Sequence, residues 1–344
     1  MHIINAMFSS GLGGIEQSFL DYAISMDKLG HKSTVIISPN SDIYSSFQEY
    51  NNIEVIFCKN NNQWDFIAKH NLHTILKKNK PDIIIAHGNR AIRLLQKPAK
   101  NICPLVGVAH NYKIKQIDKC SAIFTITKDL KEIIAGKGFD NDKIYHIPNM
   151  IELNNAVTKN VFHKTPVIGT MGRFVHKKGF HVFLQALLLL HQNNVPFRAI
   201  IGGDGEEAVK LNEIALNMGI EHKIDFVGWV NKKEKFFNEI DIFCLPSLHE
   251  PFGIVLLEAF SYAKPVITTS TEGPSEIATD NQDAVFVEPN SSEEIFNAIK
   301  KLLDDKNFAF TLGERGLQNV IKNYEKEVVA KKIETSIIEI INNK

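Results

Sequence analysis

The sequence predicts an α/β protein made of two doubly wound, Rossmann-like domains. Short runs of β-branched and apolar residues recur along the whole chain, and amphipathic helical patterns follow several of them. The length of 344 residues exceeds what a single hydrophobic core usually serves. Apolar strands that alternate with helices form parallel sheets covered on both faces. Such sheets bind ligands at the carboxyl ends of their strands.

Each half of the chain carries its own set of predicted elements. The first half has strands at residues 3–7, 33–38, 54–58, 83–86, 105–109 and 122–126, with helices at 17–29 and 66–78. The second half has strands at residues 167–171, 198–202, 223–227, 242–245, 265–268 and 284–287, with helices at 179–191 and 206–217. The polar stretch 152–164 predicts a boundary between domains 1–160 and 161–325. We expect the final helical pattern, within 326–344, to pack back on the first domain.

Composition and charge exclude several classes of protein. The formal net charge is zero, which argues against a general nucleic-acid binder. No stretch reaches the about 18 apolar residues that a membrane span requires, and residues 1–5 resemble a strand rather than a leader. The four cysteines lie far apart without a CxxC pair, which indicates reduced thiols and no metal site. We therefore expect a cytoplasmic protein.

The strongest local motif is the segment 249–259, which follows a predicted strand. Gly253 is placed where a helix begins, so its amide and those of its neighbours are free to bind an anion. Glu258 falls on the second turn of an apolar helix, where a carboxylate needs a partner such as a ribose diol. Glu250 precedes the helix, near where a sugar joined to the phosphates would lie. In the alternative interpretation, Glu250 caps the helix and Glu258 pairs with a basic side chain.

Two glycine-containing loops accompany this segment. Arg173 and Lys178 follow Gly172 in a strand-to-helix loop, where two cations can neutralise a diphosphate leaving group without a metal. A solvated basic loop is the alternative. Gly13 and Gly14 follow the first strand, where small residues let a ligand approach the backbone, unless the segment is only a tight turn. A nicotinamide enzyme is disfavoured, because the third glycine of its fingerprint is missing.

Taken together, these motifs resemble the retaining glycosyltransferases of family 4. Those enzymes have the GT-B fold, in which two Rossmann-like domains flank a cleft. The likeness covers nearly the whole chain in order, and its motifs are Gly13-Gly14-x-Glu16, His87-Gly88, His110, Ile147-Pro148-Asn149, Gly172-Arg173 with Lys178-Gly179, Gly202-Gly203-Asp204-Gly205, Glu250-x7-Glu258 and Gly273-Pro274-Ser275-Glu276. The family often has Gly-Gly where this chain has Glu272-Gly273, which concerns the choice of sugar more than the reaction.

The resemblance implies a role for each matching position. Glu258 would hold the ribose, and Glu250 would contact the transferred sugar. Arg173 and Lys178 would stabilise the departing diphosphate, and His110 would lie near the donor sugar. The remaining donor-binding positions would be Gly13, Gly14, Gly172, Phe252, Gly253, Ile254 and Val255. Such enzymes retain the anomeric configuration by a front-face route without an established protein nucleophile.

The resemblance predicts a metal-independent transferase that builds a bacterial surface polysaccharide. Its donor would be a nucleotide-diphosphate sugar, with UDP favoured over GDP, and its acceptor a glycan or a lipid-linked saccharide. No cofactor and no metal are expected. Two alternatives stay open: a sugar-nucleotide 2-epimerase of the same fold, and a degenerate subunit that only binds the nucleotide sugar.

Two further features of the first half concern its partners. The predicted helix from residue 66 to residue 80 is amphipathic and rich in lysine and histidine, so it could dock on the anionic inner membrane or simply present a solvated face. His87 lies at a strand end, where it could line the acceptor cleft or be a packed residue.

Overall fold

A computed structural model describes residues 1–9, 11, 13–112, 115–153 and 161–343. The chain divides into two compact units, both of α/β type. Unit 1 comprises Met1–Met150 and Glu325–Lys344, and unit 2 comprises Ile151–Tyr324. No helix within the described ranges combines the length and the apolar character needed to cross a bilayer.

Unit 1 contains, in its described part, seven parallel strands in the order β3-β2-β1-β4-β5-β6-β7. The strands are β1 His2–Met7, β2 Lys32–Ile37, β3 Glu54–Phe57, β4 Ile83–His87, β5 Leu105–Ala109, β6 Ala122–Thr125 and β7 Ile144–His146. The helices are α1 Gly14–Lys28, α2 Tyr44–Phe47, α3 Phe66–Asn79, α4 Gly88–Ala99 and α5 Lys128–Gly136. Strands β4 and β5 are buried along their length and β1 from its second residue onward, as expected for a sheet covered on both faces.

Unit 2 contains, over its described residues, six parallel strands in the order β10-β9-β8-β11-β12-β13. The strands are β8 Val167–Met171, β9 Arg198–Gly202, β10 Ile224–Gly228, β11 Ile242–Leu245, β12 Val266–Thr269 and β13 Val285–Val287. The helices are α6 Phe180–Gln192, α7 Ala208–Asn217, α8 Lys233–Glu239, α9 Ile254–Ser261, α10 Glu272–Ile277, α11 Ser292–Asp304 and α12 Lys306–Asn323.

The last helix, α13 (Lys326–Asn342), belongs to unit 1 although it follows all of unit 2 in the chain. Its apolar residues, including Val329 and Ile333, share a core cluster with Tyr22 of α1. The ammonium group of Lys326 lies 2.9 Å from the carboxylate of Asp21, which is itself buried. Part of the predicted domain boundary, residues 154–160, lies outside the described residues.

The observed strands differ from the predicted ones mainly at their ends, and one strand was missed, whereas several helices, such as α4 and α11, had not been predicted. The prediction missed β7, because three residues are too few to show an alternation of apolar and polar positions. Helix α1 begins at Gly14 rather than at residue 17, so the second glycine of the loop is the first residue of the helix.

Candidate functional site

The sheet of unit 2 has a topological switch point between its two central strands. From β8 the sheet continues through β9 to β10, and from β11 it continues the other way through β12 to β13. Ligands of such sheets bind at the carboxyl edge beside the switch point, so the loops that follow β8 and β11 lie where a ligand is expected. These two loops, residues 172–179 and 246–253, carry half of the predicted site residues, and α9, which follows the second loop, carries three more.

The loop after β8 is fixed to the loop after β9. The amide of Gly172 donates to the carbonyl of Gly202 (3.0 Å), and the amide of Phe174 donates to that of Asp204 (2.8 Å). A Cβ atom on Gly203 would lie 1.9 Å from the Gly172 oxygen, so this approach requires glycine. Arg173 stands between the two anchored residues, where it is exposed and its guanidinium group pairs with no described residue. A cation is thus presented to solvent on a fixed backbone.

Lys178 and Glu250 form an ion pair between these two loops. The ammonium group of Lys178 donates to Oε2 of Glu250, which is only 6% exposed. The hydroxyl of Ser247 donates to the same oxygen at 3.3 Å. Gly179, with φ of +68°, lets the two loops meet, because a Cβ atom there would lie 1.9 Å from the Pro246 oxygen. The alternative interpretation, in which Glu250 caps the helix, does not hold, since the residue before α9 is Gly253 and no side chain caps this helix.

The start of α9 is a second feature of this edge of the sheet. Gly253 has φ of +95° in the left-handed region, and the helix begins at Ile254, as predicted. Over the described residues, no acceptor bonds the amides of Phe252, Gly253, Ile254 or Val255. Free amides at a helix start attract an anion, and the helix dipole adds to this attraction.

Glu258 lies on the second turn of α9 and is 8% exposed. The ammonium group of Lys233, at the start of α8, bonds its Oε1. This contact matches the alternative interpretation, in which a basic side chain balances the carboxylate. Sequence reasoning missed Lys233, because it lies on a different helix, 25 residues away, and no periodicity connects the two.

In unit 1, His110 follows β5 and is buried beside His87. Nδ1 of His87 and Nε2 of His110 are 3.1 Å apart. Burial lowers the pKa of His110 to about 4. Burial, and then the neighbouring His110, lowers the pKa of His87 well below its usual value. Of the two interpretations of His87, the structure matches the packed one: its side chain is enclosed by Phe19 and Tyr22, and it is His110 that lines a cavity of about 170 Å³.

Gly13 and Gly14 lie at the start of α1 in the same unit. Gly13 is the residue before the helix and has an extended backbone that any residue could adopt. The hydroxyl of Ser9 donates to the carboxylate of Glu16 at 2.6 Å, which connects the two ends of the loop. Residues 10 and 12, in the loop between β1 and α1, lie outside the described residues. The predicted site residues thus fall into two groups, the larger one in unit 2 and Gly13, Gly14 and His110 in unit 1.

Two protein-family models match the chain. The model described as glycosyl transferases group 1 matches residues 151–327, and the one described as glycosyltransferase family 4 matches residues 12–155. Among similar proteins, the lipopolysaccharide core biosynthesis glycosyltransferase LpsE of Rhizobium meliloti is 25% identical over 324 residues, which are 92% of this chain and 93% of that protein. An Escherichia coli UDP-galactose:GlcNAc-diphosphoundecaprenol galactosyltransferase is 26% identical over 274 residues, which are 68% of this chain and 70% of that protein.

Solved structures share the fold. HepE of Anabaena, solved in complex with UDP, superposes with a TM-score of 0.86 at 18% identity, over 98% of this chain and 100% of that one. A glycosyltransferase of Rickettsia africae superposes with a TM-score of 0.87 at 20% identity, over 100% and 99% of the two chains. These superpositions establish the GT-B fold.

Proposed function

Since the chain belongs to the group 1 glycosyl transferases, we propose that it transfers a sugar from a UDP-sugar to a saccharide acceptor, with retention of the anomeric configuration and without a metal ion. The observation that carries this proposal is the carboxyl edge of unit 2. There, the loop after β8 exposes Arg173, and its Lys178 forms an ion pair with Glu250 of the loop after β11. Backbone amides without an acceptor among the described residues lie at the start of α9. This combination suits a diphosphate attached to a sugar.

Different residues of this edge would bind different parts of the donor. The amides at the start of α9, together with Arg173 and Lys178, would neutralise the diphosphate as its charge grows in the transition state. Glu250, held by Lys178, would accept a hydrogen bond from a hydroxyl of the transferred sugar. Glu258 would accept a hydrogen bond from a ribose hydroxyl. Lys233 would either stay paired with this carboxylate or release it when the ribose binds.

UDP is the nucleotide we propose, because HepE has been solved in complexes with UDP and with UDP-glucose. A thermal-shift panel of UDP-, GDP- and ADP-sugars tests the choice, and a larger shift with a GDP-sugar would contradict it. With the selected donor, release of UDP should continue in EDTA, and a strict requirement for Mg²⁺ or Mn²⁺ would contradict the role of the two cations. NMR of the product decides retention from the coupling constant of the new anomeric proton.

The acceptor we propose is a glycan or a lipid-linked saccharide of a bacterial surface polysaccharide. Support comes from the named activities of similar proteins, which include lipopolysaccharide core biosynthesis and transfer to a diphosphoundecaprenol-linked sugar. Incubation with the donor alone separates this function from its alternatives. An epimerase would convert the donor without an acceptor, whereas a subunit that only binds would leave it intact under every condition.

We also propose that unit 1 contacts the anionic cytoplasmic face of the inner membrane. Trp64, Phe66 and Ile67 are 54%, 77% and 76% exposed beside the start of α3. The guanidinium carbon of Arg93 lies 3.9 Å from the Trp64 ring centroid. Desolvation lowers the pKa of Lys69, and the positive charges of Arg93 and Lys97 lower it further. Three cations are therefore clustered at this place. Apolar side chains surrounded by cations suit insertion into an anionic interface.

Flotation on vesicles tests the membrane contact. The native chain should float with vesicles that contain anionic lipid and less with neutral vesicles, and Phe66→Asp/Ile67→Asp should abolish the difference. Val209→Asp/Leu216→Asp is the matched control, because these residues of α7 are similarly exposed, at 72% and 62%, in the other unit. Equal recovery on both kinds of vesicle would rule out the anionic contact.

A further inference from the structure

Two buried histidines at the carboxyl edge of unit 1 form a hydrogen-bonded pair. His87 ends β4, and His110 follows the neighbouring strand β5. Their ring centroids are 5.3 Å apart and the ring planes are inclined by only 26°, so the rings meet edge to edge. The 3.1 Å separation of Nδ1 of His87 and Nε2 of His110 is that of an N–H···N bond, in which one proton is shared.

His87 has no route to a ligand of its own. The rings of Phe19 and Tyr22 meet its ring edge to face, at centroid distances of 5.3 and 5.1 Å. Its Nε2 is buried and has no hydrogen-bond partner among the described residues. The aromatic walls fix the plane of the ring and leave Nδ1 as its bonded atom. Any influence of His87 on a ligand must therefore pass through His110.

His110 is different, because it lines the cavity of about 170 Å³. Its Nε2 is occupied by His87, and its Nδ1 has no partner in the described part of the chain. The cavity walls combine apolar side chains with amide side chains, from Ile15, Ile92 and Ile117 and from Asn89 and Asn111. Such a mixture suits a sugar ring, which presents both C–H groups and hydroxyls.

We propose that His87 is a positioning residue that holds Nε2 of His110, so that Nδ1 of His110 bonds a hydroxyl group of a saccharide in this cavity. The inference rests on the proposed function. Because burial lowers the pKa of both rings, the pair is neutral at pH 7. When His87 donates the shared proton, Nδ1 of His110 carries a proton and donates to the ligand. When His110 donates it, Nδ1 accepts, and a hydroxyl group can serve either arrangement.

A mutant cycle tests the positioning role. His87→Phe keeps an aromatic ring but removes the bond, and it should lower kcat/KM about tenfold, the loss of one hydrogen bond. His87→Asn keeps a polar group near Nδ1 and should recover most of the loss. In a His110→Ala background, His87→Phe should change kcat/KM less than twofold, because its effect passes through His110. The proposal would be overturned if His87→Phe also lowered kcat/KM tenfold in the His110→Ala background. It would equally be overturned if kcat/KM of His87→Asn were as low as that of His87→Phe.

Nitrogen NMR of the full chain labelled at histidine provides a readout that does not need turnover. The native protein should show a through-bond coupling between the two rings, absent in His87→Phe. Methyl glucoside should shift Nδ1 of His110 more than Nε2. If the coupling is absent, or if Nδ1 does not respond, the inference fails even if the protein is an active transferase. If the native chain turns over no UDP-sugar, the proposed function fails, while the spectra still decide the pairing.

Discussion

Replacing Lys178 by methionine should separate the two roles that we assign to its ammonium group. In the free protein this group balances the buried carboxylate of Glu250, and in the reaction it would stabilise the departing diphosphate. Methionine keeps most of the apolar stem and removes only the charge. The first role predicts a loss of stability, and the second predicts a larger loss of turnover than of nucleotide affinity.

The burial of the pair sets the size of each effect. Breaking a fully buried ion pair costs about 3–5 kcal/mol. The side chain of Lys178 is 21% exposed, and Ser247 also bonds Glu250, so we expect about 1–2 kcal/mol of lost stability. Removing one group that stabilises developing charge lowers kcat by about 100- to 1000-fold. The free energy of UDP binding should change by less than about 1.4 kcal/mol, which is a factor of ten.

Three measurements decide the outcome: UDP release for kcat, calorimetry for UDP affinity and denaturant unfolding for stability. Lys177→Met is the matched control, since this neighbour is exposed and has no ion pair among the described residues. Adding Glu250→Gln to Lys178→Met should restore stability, because no unpaired charge remains, while turnover stays low. If kcat and UDP affinity fall by the same factor, Lys178 contributes only ground-state binding, and the reasoning is refuted.

Three other substitutions have defined outcomes. Glu258→Gln should weaken UDP binding about tenfold by calorimetry, because a neutral amide accepts more weakly from the ribose. Gly179→Ala should lower the melting temperature much more than Gly219→Ala: φ is +68° and +66° respectively, but only the first Cβ atom meets a backbone oxygen, at 1.9 Å. The pKa of His110 is about 4 in the folded protein and about 6.5 in the unfolded chain, so the folded protein binds fewer protons at mildly acidic pH. The free energy of unfolding should therefore fall by about 2 kcal/mol from pH 7 to pH 5. His110→Gln should remove this part of the loss, and exposed His70→Gln should not.

Each of these outcomes can fail in a recognisable way. Unchanged UDP affinity in Glu258→Gln would leave the carboxylate with a structural role, which includes its ion pair with Lys233. Equal melting temperatures for the two glycine variants would mean that the loop after β8 can move away from β11 at little cost. A loss of stability toward pH 5 that persists in His110→Gln would assign the acid sensitivity to other groups.

The sequence was sufficient for most of the fold because the strands of a doubly wound sheet are buried on both faces. Strand β5 was predicted at its observed limits, since its five residues are apolar and all are buried. Strand β7 was missed, because it has only three residues, of which Tyr145 and His146 are half-buried. Helix α1 extends to Gly14, which a propensity argument does not favour, because glycine is a poor helix former.

The candidate site was predictable in its residue types but not in its pairings. The motifs placed Lys178 and Glu250 at strand ends, and the order of the strands brings those ends together. That the two side chains bond each other depends on the close approach at Gly179, which no local pattern reveals. The pair of His87 and His110 likewise depends on strands β4 and β5 being neighbours in the sheet.

The position of α13 has a consequence for biosynthesis. A ribosome completes all of unit 2 before it makes the helix that covers α1, so unit 1 stays unfinished through the synthesis of some 170 intervening residues. During that interval the apolar surface around Tyr22, later covered by Val329 and Ile333, is open to water and to chaperones. Unit 2, whose residues are continuous in the chain, can mature first, and the N-terminal unit is the last to close.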